Sequence, residues 1–76
     1  MSKLIDEAVQ AVKEAAEKEL SFCDPIDTPY VCLMISSEQG KKKVIDQIVE
    51  LVGAMGVSIS DAIFTIENET NPNSSY

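Results

Sequence analysis

The stretch Tyr30-Val31-Cys32-Leu33-Met34-Ile35-Ser36 decides how the rest of the chain is read. Read as a strand, it sets Val31, Leu33 and Ile35 on one face. Tyr30, Cys32 and Met34 fall on the other, so both faces are apolar. Ser36-Ser37-Glu38-Gln39 then fits a helix-opening capping box, with Gly40 in or near the first turn. Val44, Ile45, Ile48, Val49, Leu51, Val52 and Met55 form a wide apolar stripe at helical spacing. Gly56 is the expected left-handed residue closing that helix. A second strand starts at Val57–Ile59, bends at Ser60-Asp61, and runs on to Glu67. It would carry Ala62, Phe64 and Ile66 on one face and Ile63, Thr65 and Glu67 on the other.

Upstream, Leu4, Ile5, Ala8, Val9, Val12, Ala15, Ala16 and Leu20 recur at helical spacing. The polar face of this helix is mixed in sign, whereas a membrane-surface helix wants a basic one. It must stop by Asp24-Pro25, because proline disfavours helical geometry in the residue before it. Cys23 to Pro29 then reads as a loop, with Ile26 folding back as a plug.

These elements predict a single small α/β domain, α+β-like and two-layered, over residues 1–67, ordered helix, strand, helix, strand. Val31, Leu33, Ile35, Phe64 and Ile66 should pack against Val12, Ile48 and Val52. Residues 68–76 are polar and read as a disordered tail. Two strands make a marginal sheet with open edges. A homodimer that completes the sheet is therefore expected, with Tyr30, Cys32, Met34 and Ile63 at its interface.

Charge is segregated along the chain. Residues 1–43 hold eight acids and all six lysines, a net of −2. Residues 44–76 hold Asp46, Glu50, Asp61, Glu67 and Glu69 and no base, a net of −5. Such a surface repels nucleic acid and anionic membrane alike. It attracts a basic protein. No run of eighteen apolar residues exists, and Met1 to Asp6 lacks the apolar core of a signal peptide, so a cytoplasmic protein is expected.

Catalytic and metal chemistry find little footing. There is no histidine, and Cys32 beside Tyr30 has no base to activate it. Two cysteines without histidine would need two carboxylates to hold zinc, so no metal or other cofactor is expected. Ser36 to Lys41 follows a strand and opens a helix as a phosphate loop would. Ile35 and Lys42, however, occupy the places of its first glycine and its hydroxyl residue.

The order of strand, glycine-led helix, Gly56-Val57-Ser58-Ile59-Ser60-Asp61 and strand resembles the first half of an ACT-type ligand-binding domain, over Tyr30 to Glu67. That likeness implies a homodimeric regulatory or scaffolding module of the half-ferredoxin kind, with a small ligand at the subunit junction. The charge pattern favours another reading. The chain would be a small acidic inhibitor or regulator, not an enzyme, of the kind carried by phages and mobile elements. It would dock Asp46, Glu50, Asp61, Glu67 and Glu69 on the basic surface of a nucleic-acid-binding protein by imitating nucleic-acid charge.

Overall fold

The computed structural model describes residues 2–70, and every element in them is helical. Helix α1 spans Ser2–Leu20, α2 Pro29–Met34, α3 Glu38–Met55 and α4 Ile59–Thr70. No strand occurs among the described residues, so the expected α/β domain is in fact a small all-helical one. The likeness to an ACT half-domain rested on a strand–helix–strand order and falls with it. So does the case for a dimer built to complete a sheet. Residues 68–70 continue α4, and the remainder of the expected tail, 71–76, lies outside the described residues.

The two long helices are those the periodicity predicts. α1 closes where Ser21 donates its Oγ–H to the Lys18 carbonyl at 2.6 Å. α3 is capped by Ser37, one residue later than the capping box suggests. Its Oγ accepts from the Gly40 N–H at 3.1 Å. α3 ends at Gly56, whose φ of 67° is open to glycine at little steric cost.

The two expected strands are helices because of their caps. Pro29 stands at the start of α2, where its fixed φ suits a helix and its missing N–H is no loss. Ser58 caps α4. Its Oγ accepts from the Asp61 N–H at 3.1 Å, and its carbonyl accepts from the Ala62 N–H. Ser58-x-x-Asp61 ahead of an apolar run is itself a helix-start signal, and Ile59, Ala62, Ile63 and Ile66 follow at helical spacing.

The core joins all four helices. Ala16 and Leu20 enter from α1 and Val31 from α2. Val44, Ile45 and Ile48 come from α3, and Ala62, Ile63 and Ile66 from α4. α3 and α4 each pack against every other helix, and α4 leaves α3 at a bend of 114°. Of the expected core, Val31, Ile48 and Ile66 are buried, whereas Val12, Ile35 and Val52 are half-buried. Leu33 and Phe64 point outward, because helical turns send them to the faces opposite Val31 and Ile66. Ile26 does not fold back. It is exposed on a turn fixed by Asp24 Oδ1, which accepts the Ile26 N–H at 2.9 Å.

Gly40 sets how α3 meets α2. It is buried, and a Cβ there would overlap the Met34 carbonyl oxygen and press on Ser37 Oγ. The glycine expected near the first turn is thus a close-approach residue. The amino-terminal part of α1 is different: residues 3–8 are all exposed, and Leu4 keeps 79% of its surface in solvent. The molecule is correspondingly long, at 43 × 24 × 18 Å.

Candidate functional site

The five acids expected to dock a partner do not form one surface. Glu67 is only 4% exposed. Its Oε1 accepts the Val31 N–H at 2.9 Å and its Oε2 the Tyr30 N–H at 3.1 Å. It therefore caps α2 from α4 rather than facing solvent. The reason lies in Thr28, which precedes α2 but turns its Oγ–H back to the Asp24 carbonyl at 2.9 Å. The first N–H groups of α2 would otherwise lack acceptors, and a carboxylate suits the positive end of a helix.

Glu50 and Glu69 do come together. They line one groove of about 220 Å³ between α3 and α4, with Gln47, Leu51 and Ile66. No cation lines it. Asp46, one turn before Glu50, lines a second and larger groove between α1 and α3. There Lys13, Lys41 and Lys42 stand among Glu14, Glu17, Glu38 and Asp46, and Lys41 Nζ lies 3.9 Å from Glu17 Oε2. The larger groove is close to self-neutralised and projects a weaker field than the smaller one. Asp61 is exposed in the first turn of α4, where it suits the helix dipole.

The residues expected at a dimer interface are also divided. Ile63 is part of the core, and Tyr30, Cys32 and Met34 are half-buried along α2. Cys23 and Cys32 are free thiols. Thr28 Oγ1 lies 3.7 Å from Cys32 Sγ. Burial pushes the Cys23 thiol above its ordinary value, a rise that the Thr28 hydrogen bond opposes and that nearby Cys32, Glu19 and Glu67 reinforce.

Among the described residues no group of three or more histidines, cysteines and acids is placed to hold a metal ion. No single helix among them is long and apolar enough to cross a membrane. No family model, no curated protein and no solved structure matches this chain.

Proposed function

We propose that the chain is an acidic protein-binding module, not an enzyme, that docks on a basic surface of a nucleic-acid-binding protein in the cytoplasm. The observation that carries this is the groove in which Glu50 and Glu69 stand together without a cation. It sits in the half of the chain that holds acids and no lysine. Asp46 faces the self-neutralised groove and Glu67 is buried, so neither has a part in it. A surface of one sign steers a complementary partner and raises its association rate. Two free thiols suit a reducing compartment. The test is affinity capture from host lysate at low and high salt, comparing the native chain with Glu50→Lys/Glu69→Lys. The expected result is a captured protein that duplex DNA displaces, that high salt releases, and that the double variant no longer holds. Equal capture by both forms would remove the proposal.

Self-association is a second reading, now on different ground. The start of α1 leaves Leu4, Ile5 and Ala8 exposed among the described residues. Residues 3–13 carry two lysines and two acids, so two copies can approach there without the repulsion their overall charge of −7 would impose elsewhere.

A further inference from the structure

The chain contains two phenylalanines, and both stand exposed at one cleft. Phe22 follows α1 and is 75% exposed; Phe64 is on α4 and is 50% exposed. Exposed aromatic area does little for the fold, and aromatic side chains are enriched at protein interfaces. Cys23, Thr28 and Ile63 also line this cleft. Its carboxylates are Glu19, Asp24 and Asp27, and no lysine lines it. Glu19 Oε1 accepts from Ser60 Oγ at 3.1 Å, which ties α1 to α4 along one wall. Asp24 spends one oxygen on the Ile26 N–H. Size narrows what could enter. At about 190 Å³ the cleft falls below the ~300–1,000 Å³ of small-molecule sites and is scaled to one side chain.

We propose that this cleft receives an arginine side chain from an extended basic segment of a partner protein, with the guanidinium against Phe22 and Phe64 and paired to Asp27. A planar guanidinium can lie on an aromatic face while its edge meets a carboxylate. Lysine, a compact and strongly hydrated charge, can approach a ring face but cannot lie flat on it while presenting an edge to a carboxylate. The three carboxylates supply the charge complementarity, and the rings supply the selection for arginine. The inference rests on the reading of the chain as a module for a basic partner. It names the side chain gripped, at a cleft separate from the Glu50–Glu69 groove.

The experiment is a titration of the full, isotope-labelled chain at about 0.15 M salt, where exposed charges beyond roughly 8 Å are screened. The probes are a synthetic peptide alternating arginine with serine and its lysine counterpart. The expected result is amide shifts over residues 22–28 and 60–64, with the lysine peptide at least tenfold weaker. Phe22→Ala and Phe64→Ala should each weaken the arginine peptide at least tenfold. Phe22 is largely in solvent and Phe64 half so, and both variants should keep the native spectrum elsewhere. Glu50→Lys/Glu69→Lys should leave the cleft shifts in place. Equal affinity for the two peptides overturns the proposal. So do shifts confined to the Glu50–Glu69 groove, although that result leaves the acidic-surface reading standing. Cleft shifts that appear on concentrating the protein without peptide assign the face to a second copy, and also overturn it.

Discussion

Glu67 is the residue whose role changes most between sequence and structure. As one of five acids in a lysine-free half it reads as surface, yet it closes the start of α2 with both oxygens. Replacing it with alanine leaves two N–H donors short of an acceptor and should cost about 3 kcal/mol. Glu67→Gln keeps one acceptor oxygen and should cost about half as much. Urea unfolding of the two variants checks the order, and equal stability to the native chain would show that the cap is idle. Gly40→Ala tests close approach in the same way. The added methyl has the Met34 carbonyl in its path, so the loss should reach the upper end of the ~1–3 kcal/mol seen for overpacking. A Gly40→Ala protein that melts with the parent would mean α2 and α3 are free to part. Cys23 gives a pH signature. Its folded-state pKa is raised, so the unfolded chain loses that proton first as pH climbs past the ordinary value of 9.0. The contribution is intact below that value and drains away as pH rises toward the folded-state pKa. The melting temperature should therefore fall more steeply above pH 9.0 in the native chain than in Cys23→Ala. Parallel curves would refute it.

At the scale of elements, α2 and α4 are where a short apolar run fits either state. α2 has only six residues, and a helix that short does not stand alone in water. It exists because Val31 is buried in the core and Glu67 supplies its cap. α4 satisfies either periodicity, with Ala62, Phe64 and Ile66 for a strand and Ile59, Ala62, Ile63 and Ile66 for a helix. The cap at Ser58 decides it, since a strand leaves that hydroxyl nothing to do. The helical register relocates the sensitive positions. Ile48, fully buried on α3, should cost about 2–5 kcal/mol on truncation to alanine. Phe64→Ala should cost about 1 kcal/mol, because half of the ring is already in solvent. Thermal melts of the pair would reverse that ranking if Phe64, and not Ile48, held the core together.

Across the whole molecule, charge and apolar surface are laid out unevenly. The acidic groove lies between α3 and α4, the self-neutralised groove between α1 and α3, and the exposed apolar start of α1 extends beyond the core. A chain of 76 residues has little core to spare, and pairing α1 with its copy would bury Leu4 and Ile5. Light scattering at micromolar concentration should then give a dimer mass, and Leu4→Glu/Ile5→Glu should return the chain to monomer without lowering its helix content. A monomer mass for the native chain would leave that end of α1 to another partner.

Residue order alone was enough for α1 and α3, the glycine that ends α3, and the confinement of all six lysines to the first 43 residues. The two helices follow from repeats that extend over several turns, and Gly56 from the left-handed φ that its position takes. The helical state of residues 29–34, the burial of Glu67, and the placing of Phe22 and Phe64 at one cleft came only with the packing of the helices, whereas the Ser58 cap and helical repeat that make 59–70 a helix are present in the sequence. Short apolar runs fit both the helical and the extended period, and their choice depends on who satisfies the backbone. For α2 that partner lies 36 residues away in sequence, where no local pattern can announce it.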